Sequence, residues 1–194
     1  MLAFTFGFLT VLQVLTPAMA QGKVRMCYLP TFAQPRFTPD DLDPFLCTHV
    51  LCAFASISPD GTTVTTTDEE FFRNITGLKQ RNPNLKVLLS VGGAGKVQTT
   101  ALFDDIARSA SRTAIFVNNT ISFLRDHAFD GLDVDWEFPN TTNRQHFTNF
   151  IAGLSNGFSR ENLDSGHVKL LLTIAVWGNH EQTLNSYEPQ SLAQ

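Results

Sequence analysis

Apolar residues gather in five short runs, at 23–29, 49–56, 86–91, 131–136 and 169–176. Each is of strand length. The last contains Leu170-Leu171-Leu172-Thr173-Ile174-Ala175-Val176, which is almost continuously apolar. Unbroken hydrophobicity over that length suits parallel strands covered on both faces. Between most of the runs the apolar period lengthens from two to about 3.6. Phe71, Ile75 and Leu78 recur at helical spacing. Asp68-Glu69-Glu70 puts negative charge where the dipole of that helix favours it, and Asn82-Pro83 stops it. Val117, Ile121 and Leu124 repeat the spacing ahead of the fourth run. Phe147, Phe150, Ile151, Leu154 and Phe158 form the cleanest helical stripe in the chain, and such stripes read as core. Strand alternating with helix predicts a parallel α/β fold.

The fourth run carries an anomaly. Phe129-Asp130-Gly131-Leu132-Asp133-Val134-Asp135-Trp136-Glu137-Phe138-Pro139 places four acids inside and beside a buried strand. Strand side chains alternate, so Asp133, Asp135 and Glu137 share one face and Leu132, Val134 and Trp136 share the other. If the apolar face packs on helices, the acidic face is not the wet side of a free sheet. Three carboxylates this close repel one another and cannot all ionise normally. Such a cluster serves where one acid is held protonated beside one held charged. Oxygens at this spacing also suit a divalent cation.

Length and composition narrow the class. The chain has 194 residues, a single-domain length. Its first twenty read as a secretory signal, with an A-x-A-like site at Ala18-Met19-Ala20. The apolar stretch is too short and too interrupted to be a membrane anchor. Every charged residue follows it, so the mature part, 21–194, keeps the formal net charge of −4. A mild acidic balance without basic runs argues against nucleic acid or an anionic membrane as partner. A neutral polymer is compatible with it. Three cysteines are present, Cys27, Cys47 and Cys52, and in an oxidising compartment two pair and one remains. Sequons at Asn74, Asn118 and Asn140 are candidate glycosylation sites in a secreted chain. His127, His146, His167 and His180 are too scattered to propose a metal site.

The acidic run resembles the signature of glycoside hydrolase family 18, the chitinases and chitinase-like proteins. That signature is an Asp, two residues, then Asp-x-Asp-x-Glu at the end of the fourth strand of a (β/α)8 TIM barrel. The stretch Ser90-Val91-Gly92-Gly93 is similar to the family's third strand. The resemblance implies cleavage of β-1,4-N-acetylglucosamine linkages in chitin with retention, the substrate's acetamido group serving as nucleophile and no cofactor or metal taking part. By position, Glu137 would be the general acid. Asp135 would bind and orient the acetamido group. Asp133, behind Asp135, would share a proton with it, and Asp130 would brace the strand end. Tyr28, Phe54, Gly92, Gly93, Trp136 and Phe138 fall at positions of the sugar-binding surface. The half-cystines resemble a family pair, which implies a Cys27–Cys47 disulfide. Cys52, inside an apolar strand, is then a buried small hydrophobe.

The resemblance also has gaps. Ala94 and Phe32 stand where relatives often carry a Trp, and Phe138 where they carry a Tyr. A (β/α)8 barrel typically needs about 250 residues, and this chain reads as about its first five β/α units. The sixth-strand Met-x-Tyr-Asp segment and the eighth-strand Trp fall outside it. The expected protein is therefore a secreted chitinase in truncated form. The alternatives are a lectin that binds chitin oligomers without cutting them and an inactive truncated isoform.

Overall fold

The computed structural model describes residues 23–94 and 97–193; the expected leader at 1–20 lies outside them. Strands β1 (Met26–Pro30) and β2 (His49–Ile57) are followed by a two-residue strand β3 (Val64–Thr65) and helix α1 (Glu69–Gly77). Then come β4 (Lys86–Gly92), α2 (Val97–Ala107), α3 (Ala110–Asp126), β5 (Gly131–Asp135), α4 (Arg144–Ser165) and β6 (Leu171–Ile174). Short helices α5 (His180–Ser186) and α6 (Pro189–Leu192) close the order. The sheet runs β1-β2-β4-β5-β6, parallel throughout. Strand following strand through helices is the βα succession of a TIM barrel, here an arc of five parallel strands. Only β3 departs, pairing antiparallel with β2.

Register decides which side chains meet. Ser90 and Thr173 both lie opposite Asp133, and Gly92 lies opposite Asp135. One face of the arc therefore carries Leu51, Ala53, Leu88, Ser90, Asp133, Asp135 and Thr173. The other carries Val50, Cys52, Val87, Leu89, Val91, Leu132, Val134 and Trp136, which join the helices in the main core. The helical stripes expected from sequence supply the opposite wall. Phe71, Ile75, Phe147, Phe150, Leu154 and Phe158 are almost fully buried, each burial stabilising by about 1.5–3 kcal/mol. Asp68 caps α1, its Oδ1 accepting from Phe71 N–H at 3.0 Å. Gly166, left-handed at φ 71°, ends α4.

The inner face closes only in its middle. Leu51 and Leu88 are buried, whereas Met26 and Tyr28 on β1 and Leu171 on β6 are 38%, 47% and 37% exposed. Among the described residues β1 and β6 each have a strand partner on one side only. This explains why both strands are shorter than their apolar runs: 23–25, 169–170 and 175–176 fall outside them. The β3 hairpin, α2, α5 and α6 were not marked by the apolar pattern. β3 is two residues long, and its turn is tied by Ser58 and Asp60 through polar bonds to Thr62 and Thr63. α2 buries Phe103, Ile106 and Ala107, with Leu102 beside them, a stripe little more than one turn long.

At the start of the arc Cys27 and Cys47 form a disulfide, and Cys52 is free and buried. Burial also holds the Cys52 thiol well above its ordinary range, with Asp68 adding to it. The bridge closes a span of 20 residues. Cys47→Ser, with Cys27 also Ser, is expected to lose about 3 kcal/mol in urea unfolding, the loop-closure entropy of a span this size. An unchanged midpoint would assign the bridge no role in stability.

Candidate active site

β5 delivers its acids to two ends of the sheet. Asp130 precedes the strand and ties its lower end. Its Oδ2 accepts from Val87 N–H at 2.8 Å and from Lys79 Nζ at 3.0 Å. Asp133, Asp135 and Glu137 advance toward the upper end, where β4 finishes at Gly92 and Gly93. Asp133 is 2% and Asp135 5% exposed, while Glu137 is half-buried at the rim.

Asp133 is held by hydroxyls from three other strands. Its Oδ2 accepts from Tyr28 Oη at 3.0 Å and Ser90 Oγ at 2.8 Å. Its Oδ1 accepts from Thr173 Oγ1 at 2.6 Å. Burial and the adjoining Asp133 carboxylate hold the Tyr28 hydroxyl far above its ordinary range, so it stays a donor. Asp135 differs. Burial pushes its carboxyl up to about 7, and the charges of Glu137 and Asp133 and a hydrogen bond shared with Glu137 add to the shift. Its Oδ1 is buried without a hydrogen-bond partner among the described residues. Tyr187, after α5, lies in the same field. Burial foremost, with a smaller part from the charges of Asp135 and Glu137, pushes its hydroxyl up to about 12.

Two glycines bring β4 against this cluster. Gly92 has φ +115°, and a Cβ there would stand 2.0 Å from the Asp135 carbonyl oxygen. Gly93 N–H donates to that same oxygen at 2.9 Å, and a Cβ on Gly93 would meet the Phe54 ring at 2.9 Å. Both glycines are buried, so they back the site from behind. Gly92→Ala is expected to destabilise by on the order of 3 kcal/mol, combining left-handed strain with displacement of the Asp135 peptide. Urea denaturation of the purified variant checks this, and a loss below about 1 kcal/mol would contradict the close approach.

The aromatic residues divide. Tyr28 and Phe54 lie with ring centroids 6.2 Å apart on the inner side of β1 and β2. Phe138 stacks on Trp177, centroids 3.7 Å apart, next to Glu137. Trp136 corrects the sequence expectation. It is fully buried on the helix side, stacked on Phe103 and packed against Phe147. Strand alternation turns it away from the carboxylates, and a sugar has no path to it. Phe32, just past β1, is 78% exposed at the same end of the sheet as Glu137. Asn74 on α1, Asn118 on α3 and Asn140 in the turn after Pro139 are exposed. Among the described residues no three His, Cys, Asp or Glu side chains are grouped to hold a metal ion.

Thr173, Trp177 and Tyr187 belong to this environment and were not singled out from sequence. Thr173 had a signal, being the one polar side chain in an apolar strand. Trp177 and Tyr187 had none. The assembly amounts to a carboxyl raised toward neutrality, a second acid beside it at the rim, and a hydroxyl-bound carboxylate behind. This arrangement can donate and recover a proton.

Comparison with known proteins agrees with the geometry. A model of the glycosyl hydrolases family 18 matches residues 24–194. The chain is 39% identical to chitotriosidase-1 of Mus musculus over 97% of its own length and 42% of that protein's. It superposes on an immunomodulatory active chitinase from Trichuris suis with a TM-score of 0.82 and 30% identity, covering 88% of this chain and 48% of that one. It superposes on human YKL-39, described as a pseudo-chitinase with retained chitooligosaccharide binding, with a TM-score of 0.80 and 35% identity, covering 88% and 48%. The chain thus spans less than half the length of these relatives.

Proposed function

Because the chain belongs to the glycosyl hydrolases of family 18, whose members similar to it include chitinases and a pseudo-chitinase, we propose that it carries the acidic half of a chitin-cleaving site. Glu137 protonates the glycosidic oxygen and then serves as base toward water. Asp135 presents Oδ1, its unpartnered oxygen, to the acetamido N–H and turns the acetamido oxygen toward the anomeric carbon. Asp133, fixed by three hydroxyls, supplies the negative charge behind Asp135 that helps keep its proton in place. Tyr28, Phe54 and Phe138 border the sugar. A leader at 1–20 and glycans at the exposed sequons fit a secreted protein, and the Cys27–Cys47 bridge is consistent with an oxidising compartment. No helix among the described residues is long and apolar enough to cross a membrane.

The observation that carries this reading is the row of acids on β5: Asp133 fixed by three hydroxyls, Asp135 buried with Oδ1 unpartnered and its carboxyl raised toward neutrality, and Glu137 at the rim. The test is to place the segment in a protein that completes the barrel and supply a tetramer of N-acetylglucosamine. Proton NMR should show the β-anomer of the product first, as retention demands. An α-anomer first would exclude the mechanism. A second reading, binding without cleavage, is supported by the exposed inner faces of β1 and β6, which leave the site half-walled. Bound tetramer that stays intact would establish that reading instead.

A further inference from the structure

Glu137 lies two residues beyond the end of β5, past the ladder that fixes Asp133 and Asp135. Pairing with β6 reaches Val134 opposite Ile174, and Ala175 N–H still donates to the Val134 carbonyl oxygen at 3.0 Å. The two chains then leave the sheet side by side, and a pair of rings joins them. Phe138, the residue after Glu137, stacks on Trp177 with centroids 3.7 Å apart and planes inclined by 27°.

Trp177 is itself held in place. Its side chain packs against the main core. Its carbonyl oxygen lies 2.9 Å from Thr183 Oγ1 of α5, a hydroxyl also 2.8 Å from the carbonyl oxygen of Asn179. Asn179 caps that helix, its Oδ1 accepting from Gln182 N–H at 3.1 Å. On the other side, Thr100 of α2 donates to the Glu137 carbonyl oxygen at 3.1 Å. Glu137 is thus gripped between two elements. α2 holds its carbonyl, and the segment after β6 holds the ring that follows it. An acid must stand within hydrogen-bond reach of the oxygen it protonates, and a displacement of about 1 Å can cost on the order of 10²-fold in rate. We propose that Trp177 is a positioning residue that fixes Glu137 beside Asp135 by clamping the Phe138 ring. The proposal rests on the reading of Glu137 as the acid, and adds the residue that keeps it there.

The Asp135 carboxyl reports the place of Glu137. Burial raises it first, then the charge of Glu137, and a hydrogen bond between the two adds to the shift. The other titratable groups facing Asp135 are Asp133 on β5, Tyr28 from β1 and Tyr187 after α5. The test is a carbon-13 NMR titration of the aspartate carboxyls in the full 194-residue chain. Trp177→Leu keeps apolar bulk and removes the ring, and Trp177→Phe keeps a ring. In W177L the Asp135 midpoint should fall by about half a pH unit as Glu137 drifts from it. W177F should track the wild type. A midpoint unchanged in W177L, or lowered equally in W177F, would overturn the proposal. Should W177L fail to fold, F138L removes the same stack from the other side and is read by the same criterion. In a protein that completes the barrel, W177L should lower kcat by about 10–100-fold with KM within about threefold of wild type. A raised KM with kcat kept would overturn the proposal and make the ring a binding surface. A protein that cleaves nothing would sink the reading of Glu137 as the acid, while the titration still decides whether Trp177 holds it.

Discussion

Glu137→Gln, introduced into a protein that completes the barrel around this segment, lowers hydrolysis of N-acetylglucosamine oligomers by about 10²–10⁴-fold. Oligomer binding changes little. An amide matches the carboxyl in size but has no proton to deliver to the leaving oxygen. Glu137 sits at the rim, with its main-chain carbonyl accepting from Thr100 Oγ1 at 3.1 Å, so the substitution leaves the local backbone in place. Turnover of a tetramer and calorimetric affinity, measured on the same preparation, separate the two effects. Turnover within about threefold of wild type would remove Glu137 from the role of acid.

Asp135→Asn should flatten the fall of stability with rising pH. The Asp135 carboxyl is raised in the folded state from an ordinary value of 3.8 to about 7. Between those values the folded chain holds a proton that the unfolded chain has released. Unfolding stability therefore declines as pH rises through this window. The contribution is fully present below about pH 4 and gone above about pH 7. It amounts to on the order of 2–4 kcal/mol. Asn titrates nowhere in this range and removes the slope. Asp41, Asp60 and Glu161 are shifted downward by hydrogen bonds, so their contributions are lost as pH falls and are shared by wild type and variant. Urea midpoints at pH 4.5 and 8 provide the check: the advantage of D135N should grow with pH. Parallel curves would mean that Asp135 ionises normally.

Much of this was legible in the order of the residues. Alternation alone put Asp133, Asp135 and Glu137 on one face, and the structure has Asp133 and Asp135 facing inward from β5. The same alternation turned Trp136 toward the helices, and there it outweighs motif-based assignment of that ring to the sugar surface. Near-continuous apolar runs marked all five parallel strands because burial on both faces leaves no polar period. What escaped notice lacked such a pattern. β3 is too short to show one, and the apolar residues that α2 buries, Phe103, Ile106 and Ala107, span little more than one turn. Tyr187 reaches the acids only through the fold, from more than fifty residues beyond Asp135. Thr173 was visible as a polar interruption of β6, but its meaning depended on register, which pairs it with Asp133.

The run from Asp130 to Glu137 joins two functions that sit at opposite ends of a strand, roughly 20 Å apart at an extended rise per residue. Asp130 ties β5 to β4 and Lys79 at the floor. Glu137 stands at the mouth, half-buried beside Asp135. A single substitution at the mouth can silence the chemistry without loosening the floor. A descendant could then keep its shape and its hold on a sugar while no longer cutting it. On the proposed reading, one substitution on this strand separates cleaving a sugar from holding it, and the reverse change stays open for as long as the floor is kept.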